Sequence, residues 1–287
     1  MHLIAYVAAL PFLYLLSILP MPVLYAMSDG LRFLLFRIAG YRRNVVQDNL
    51  IKAFPDKTPG ERNRIEWQFY RQFCDLIVET VKLLTIRRST LCRMVTIPDA
   101  GVLQGYYDAG QHVVALMGHL GNWELGGARM GLAPLHQLHV VYHPLHNPYF
   151  ERLIYRMRTS FGNRMYRMRE ASQIMSSMQD TPGVIVLIAD QAPASKNLVW
   201  LPFLNRETAF FSGPGRMAHA HGLPVVYASV HRVRRGRYEV RFAHLCENGS
   251  HYSPEEIMRM YAAQLEKDIR LTPADWLWTH RRWKHTK

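Results

Sequence analysis

The sequence predicts an α/β fold carried on an apolar N-terminal segment, and three observations predict it. Helix-period and strand-type segments alternate along most of the chain, which argues for a sheet flanked by helices. One strand-type run, GVIVLIAD at 183–190, is apolar until it ends in a carboxylate, the pattern of a central strand buried on both faces. The first 28 residues contain no Asp, Glu, Lys or Arg, enough chain to cross or deeply enter a bilayer core of about 30 Å. The 287 residues suffice for one large domain with a small accessory element. The expected division is a membrane anchor with its basic juxtamembrane segment at 1–40, then one domain at 41–287.

In chain order, the apolar run LIAYVAALPFLYLLSILPMPVLYAM carries Pro11, Pro20 and Pro22. One straight span is therefore strained, and a kinked helix or a hairpin in one leaflet competes with it. No basic stretch precedes the run, which argues against a secretory leader. Arg32, Arg37, Arg42 and Arg43 follow it, and the positive-inside tendency places the remaining chain in the cytoplasm. RRNVVQDNLIKAF reads as a short basic helix ending before Pro55. Apolar residues at 65, 69, 73, 76, 77, 81 and 84 mark a longer helix. Strands are expected at 113–117 and 138–142, a helix at 147–160 with Pro148 in its first turn, and another helix at 171–180. After the 183–190 strand come a helix at 212–221, strands at 223–230 and 238–245, and a closing helix at 254–269.

The formal charge is +13, from 35 basic and 22 acidic residues. Such a balance points to anionic partners: nucleic acid, an anionic membrane surface or a phosphorylated substrate. No nucleic-acid-binding motif accompanies the basic runs HRVRRGR and HRRWKHTK, so lipid headgroups or a lipid substrate's phosphates explain them better. Cys74, Cys92 and Cys246 are an odd, widely spaced set, which fits thiols in a reducing compartment.

The chemistry concentrates after the strand at 113–117. There VVALM runs into Gly-His-Leu-Gly-Asn-Trp-Glu, with His119 and Glu124 five positions apart. Five residues of one continuous helix turn about 500°, which would separate the two side chains around the axis. A tight turn through Leu120, Gly121 and Asn122 can instead fold Glu124 back onto the imidazole. The carboxylate then holds one ring nitrogen as N–H and leaves the other to take a proton from a hydroxyl. Backbone N–H groups near Gly121 and Asn122, at the start of the next helix, can face an oxyanion. Arg158, at the end of a helix, can engage a phosphate or polarise a carbonyl. Asp190, at the end of its apolar strand, can neutralise that arginine. The string is neither His-Glu-x-x-His nor a Cys/His cluster, so no metal site is expected.

These segments resemble the bacterial late lipid A acyltransferases, the lauroyl and myristoyl transferases of the lysophospholipid acyltransferase superfamily. The resemblance runs through RRNVVQDNLIKAFP, GHLGNWE, VVYHPLHNPYFERLIYRMRTSFG, LIADQAP and LPFLNRETAFFSGPGRMA to PADWLWTHRRWKH, nearly the whole chain. It implies a mixed sheet flanked by helices on an N-terminal membrane helix, with His119 as general base and Glu124 as its partner. It also points to Arg158 and Asp190. It implies an O-acyltransferase at the cytoplasmic face of the inner membrane. The acyl group would pass from an acyl carrier protein or coenzyme A thioester to a hydroxyl of a lipid A precursor, with no cofactor beyond that co-substrate. LPFLNRETAF stands where the lipid A enzymes commonly show a Phe-Phe-Gly-like segment near the lipid-binding pocket. The acceptor therefore stays open, with a lysophospholipid or an amino-acid lipid as the alternative. A lipid-binding scaffold is the non-enzymatic alternative. A serine hydrolase would need a Gly-x-Ser-x-Gly elbow, and the sequence has none.

Overall fold

The apolar N-terminus folds as two helices, α1 (His2–Ile18) and α2 (Met21–Arg32), which part at Pro20. Pro20 precedes another helix-starting proline, Pro22, and neither can be an interior residue of one continuous helix without removing backbone donors. The computed structural model describes residues 2–133, 136–178, 181–193 and 198–285. Among them no helix is long and apolar enough to cross a membrane. The expected membrane helix is thus a pair of shorter helices, continued by a π-helical stretch at Phe33–Ile38. Their outward faces expose Ile4, Val7, Phe12, Leu15 and Ile18, then Val23, Met27, Phe33, Leu34 and Ile38.

The helices α3 (Arg43–Ala53) and α4 (Pro59–Lys82) follow. A capping box, Thr58 with Glu61, starts α4 by satisfying donors that the first turn leaves free. Then come α5 (Arg88–Met94), β1 (Val95–Thr96), α6 (Gly101–Asp108), β2 (Val113–Met117), α7 (Trp123–Gly131), β3 (Gln137–Tyr142), α8 (Pro148–Thr159) and β4 (Arg164–Arg167). The remainder is β5 (Gly183–Ile188), β6 (Leu198–Phe203), β7 (Arg206–Phe211), α9 (Gly213–His221), β8 (Val225–Arg234), β9 (Arg237–Cys246) and α10 (Pro254–Leu271).

Seven strands form one sheet in the order β1-β9-β8-β2-β5-β3-β4. All pairs are parallel except β8 with β9, so this is the mixed, mostly parallel sheet that the sequence implies. Every residue of β2 is buried. Val114 and Leu116 join one core with α3, α4, α10 and the C-terminal tryptophans, while Val113, Ala115 and Met117 join another under α7 and α8. That division is the period-2 alternation of a strand covered on both faces. The separate hairpin β6–β7 contains the LPFLNRETAF segment, turning at Leu204 and Asn205, both at positive φ.

The stretch expected as a helix at 171–180 consists of 3-10 turns, Met168–Gln173 and Met175–Met178; residues 179 and 180 lie outside the described residues. Ser176 and Ser177 donate their hydroxyls to the carbonyls of Gln173 (2.8 Å) and Ile174 (2.7 Å), a local competition that disfavours regular helix. The short elements α5, α6, β1 and β4 and the hairpin β6–β7 carry too little periodicity to be found from sequence. Of the cysteines, Cys74 and Cys246 are buried and Cys92 is exposed.

Candidate active site

Two neighbouring strands build the site by register. β2 and β5 run parallel, with Met117 opposite Ile188. Two residues further on each chain, His119 and Asp190 leave the carboxyl ends of their strands side by side. That is the end of an open α/β sheet where functional groups gather. The imidazole Nδ1 lies 2.6 Å from Asp190 Oδ1, and the backbone N–H of His119 donates to Oδ2 at 2.7 Å. The Trp276 indole N–H donates to the same Oδ2 at 2.8 Å. Gly118 makes this approach possible, because a Cβ there would meet Leu265 Cδ1 at 2.6 Å and Asp190 Oδ2 at 3.3 Å.

Asp190 is only 2% exposed. Burial pushes its carboxyl up, but the His119 charge, the two bonds from His119 and the Trp276 bond outweigh it and hold the group at about 2. An ionised carboxylate is an acceptor only, so Nδ1 carries a proton, and in the neutral ring Nε2 is then the acceptor nitrogen. The Gln191 amide stands 3.4 Å from Nε2. Trp123 packs edge-on to the ring at 4.9 Å.

Glu124 does not turn back onto His119. It lies in the first turn of α7, which Asn122 caps by accepting from the Leu125 N–H at 3.0 Å. From there it faces α8, where Arg158 donates Nε at 3.1 Å and Nη2 at 2.5 Å to its two oxygens. The two expected partnerships are therefore exchanged. Asp190 holds the histidine and Glu124 holds the arginine. The physical reason is that the parallel register of β2 and β5 brings Asp190 beside the ring, while Glu124, on the first turn of α7, meets Arg158 of α8. The bidentate pair also changes Arg158. Burial lowers the affinity of its guanidinium for a proton, and the Glu124 carboxylate more than restores it.

Gly121 and Asn122 hold the turn in place. Gly121 has φ of +60°, and a Cβ there would meet the Val230 carbonyl at 2.1 Å. Its N–H donates to the Asp275 carbonyl at 2.9 Å. The Asn122 amide donates to Glu79 Oε2 at 2.7 Å, and the residue is buried. Of the backbone donors expected to face an oxyanion, the Gly121 N–H is thus already engaged within the fold.

The C-terminal segment completes the site, which sequence reasoning missed. The Leu277 N–H donates to the His119 carbonyl at 3.1 Å, and Leu120 bridges Trp276. Asn49 of α3 holds this segment through the carbonyls of Trp278 and His280, both at 2.8 Å. Arg282, in the basic run HRRWKHTK, is buried rather than open to a headgroup. It lies 4.5 Å from the Phe210 ring centroid. Burial lowers its guanidinium to about 10, against the pull of Asp190. The spacing of these residues from His119 in sequence gave no signal. Only the indole and guanidine types, able to bond a buried carboxylate, hinted at it.

Beside His119 lies a cavity of about 540 Å³ between the β2-β5-β3 face and α7 and α8, within the size range of small-molecule sites. Its walls are apolar: Met117, Ala128, Met130, Leu138, Val140, Met157, Phe161, Met165, Val186 and Ile188. Its polar lining includes His119, Glu124, Arg158 and Gln191, with Tyr142, His143 and Asn163. Among the described residues no three His, Cys, Asp or Glu side chains group as metal ligands.

A histidine held by a buried carboxylate, an arginine held by a second carboxylate and an apolar cavity thus meet at one end of the sheet. The comparison with known families says which class this is. A family model described as bacterial lipid A biosynthesis acyltransferase matches residues 2–285, nearly the whole chain. The chain belongs to that family and is an acyltransferase. No curated protein matches it significantly.

Proposed function

We propose that the protein transfers a fatty acyl chain from a carrier thioester, acyl carrier protein or coenzyme A, to a hydroxyl of a lipid A precursor, with His119 as the general base. The observation that carries this reading is the apolar cavity lined at one side by His119, whose Nδ1 faces the buried Asp190 carboxylate. An acyl chain in the cavity brings its thioester carbonyl beside the base. Nε2 takes the proton of the acceptor hydroxyl, and the alkoxide oxygen attacks the carbonyl carbon. The tetrahedral oxyanion collapses, the C–S bond breaks, and the imidazolium returns the proton to the leaving thiolate. Asp190 stabilises the imidazolium in between, as a buried carboxylate does for a histidine base. Arg158, fixed by Glu124 on two of its nitrogens, keeps its remaining donors for the oxyanion or a substrate phosphate.

The exposed apolar faces of α1 and α2 support seating in the interface of the inner membrane, on its cytoplasmic side, without a span. The test is a lipid mass comparison of a deletion strain, the strain restored with wild type and the strain restored with His119→Ala. Loss of one acyl chain from lipid A, restored by wild type alone, is expected, and the mass gap gives the chain length. Unchanged lipid A with an accumulating lysophospholipid or amino-acid lipid would move the acceptor to that lipid.

A further inference from the structure

The basic run HRVRRGR forms the tip of the β8–β9 hairpin, and the catalytic chemistry does not use it. Arg232 and Arg235 are neutralised: Arg232 pairs with Asp75 at 2.7 Å, and Arg235 pairs with Asp75 at 2.6 Å and Asp29 at 2.9 Å. Arg234 and Arg237 sit directly opposite each other in the hairpin register, an arrangement that like charges disfavour. Arg93, at the end of α5, joins them, and Arg237 donates to its carbonyl. Among the described residues none of these three arginines forms an ion pair with a carboxylate. Together they line a basin of about 320 Å³ with Met21 and Tyr25 of α2, and no acidic residue lines it. Arg93 and Arg234 are exposed. The basin shares no lining residue with the cavity at His119.

The rim decides which anion fits. Met21 and Tyr25 belong to the helix whose outer face exposes Val23 and Met27, and Val233 at the hairpin is 60% exposed. A cluster of unpaired arginines flanked by exposed apolar side chains matches the boundary between headgroups and acyl chains.

We propose that the basin formed by Arg93, Arg234 and Arg237 binds the phosphate headgroup of an anionic membrane lipid and seats the N-terminal helices on the bilayer, at a site separate from the acyl-transfer centre. The experiment is flotation of the full chain with vesicles of phosphatidylcholine alone or with one-third phosphatidylglycerol, which involves no catalysis and so reads independently of the acyl-transfer reading. Three proteins are compared. They are wild type, the triple variant Arg93→Gln/Arg234→Gln/Arg237→Gln, and a charge-matched control, Arg216→Gln/Arg259→Gln/Arg270→Gln, at exposed positions on α9 and α10. Equal melting temperatures establish that all are folded.

The expected result is a preference of wild type for the anionic vesicles. The basin variant loses it by on the order of a hundredfold, while the control keeps it. Binding to phosphatidylcholine, which rests on the apolar faces, is the same for all three. An equal loss in the control would mean diffuse attraction by net charge and overturn the site. So would retained preference in the basin variant, or no preference in wild type. Displacement of wild type from vesicles by millimolar glycerol phosphate, at constant ionic strength, would assign the basin to a soluble phosphate instead.

Discussion

The two oxygens of Asp190 have separate tasks, and this fixes what a substitution there does. Oδ2 accepts from the His119 backbone and the Trp276 indole, and Oδ1 faces the ring. In Asp190→Asn the amide oxygen must stay with the two N–H donors, which turns the amide nitrogen toward Nδ1. Nδ1 then becomes the acceptor and the proton moves to Nε2, the wrong nitrogen for a base. Acyl transfer should fall by about 10³–10⁴-fold in kcat, similar to His119→Ala, with little change in melting temperature for His119→Ala. Steady-state kinetics with a thioester donor checks both. The same carboxylate sets an acid limit on stability. Its folded value of about 2 lies below the ordinary 3.8, so the unfolded chain holds more protons between them. Its contribution, about 2 kcal/mol, is complete above pH ~4 and disappears as pH falls toward 2. Acid unfolding followed by circular dichroism should show a shallower decline over that window in Asp190→Asn. At this scale the sequence showed the residue types but exchanged their partners. His119, Glu124, Arg158 and Asp190 all line or support the site, yet spacing along the chain cannot report that strand register places Asp190 nearer the ring than Glu124.

At the level of elements, the turn between β2 and α7 is held from three sides. Gly121 is pinned by its N–H to Asp275. Asn122 caps α7 and donates to Glu79. Glu79, fully buried, also accepts from Tyr25 of α2 and Tyr238 of β9, each at 2.7 Å. Gly121→Ala should destabilise the fold by at least about 2 kcal/mol, because a positive φ and the Val230 carbonyl both oppose a Cβ. Gly127→Ala, six residues later in α7 with nothing within 4 Å of the added carbon, should instead raise stability by about 0.5–1 kcal/mol. Chemical denaturation of the pair reads both signs. These elements were largely legible: long, strongly periodic helices such as α4 and α10 and the apolar strands β2 and β5 follow from their patterns. The 3-10 turns at 168–178 and the β6–β7 hairpin were not, because local serine bonds and a non-glycine turn at Leu204 and Asn205 leave no periodic trace.

For the whole molecule, the apolar N-terminus is an outer layer of the same body that carries the site. Ser28 bonds Asp75 at 2.7 Å, and Lys82 donates to the carbonyls of Ser17 and Leu19. Composition alone marked residues 1–28 as a membrane segment. The prolines pointed to a kink or a hairpin, and the helices do part at Pro20, but neither signal could show that one face packs on α4. The exposed face should carry the affinity for bilayers. Phe12→Asp/Leu15→Asp should move the protein from the membrane to the soluble fraction on cell lysis while leaving the melting temperature within about 1–2 °C, since both side chains are exposed. A variant that stays with the membrane would place the contact elsewhere.

The most direct test is nuclear magnetic resonance of the His119 ring in protein labelled with ¹⁵N-histidine, assigned by comparison with His119→Gln. It is read above the pH of imidazole titration in wild type, Asp190→Asn and Glu124→Gln. A proton on Nδ1 is expected in wild type and in Glu124→Gln, and on Nε2 in Asp190→Asn. A wild-type ring protonated at Nε2, or a tautomer that changes with Glu124 and not with Asp190, would contradict this assignment.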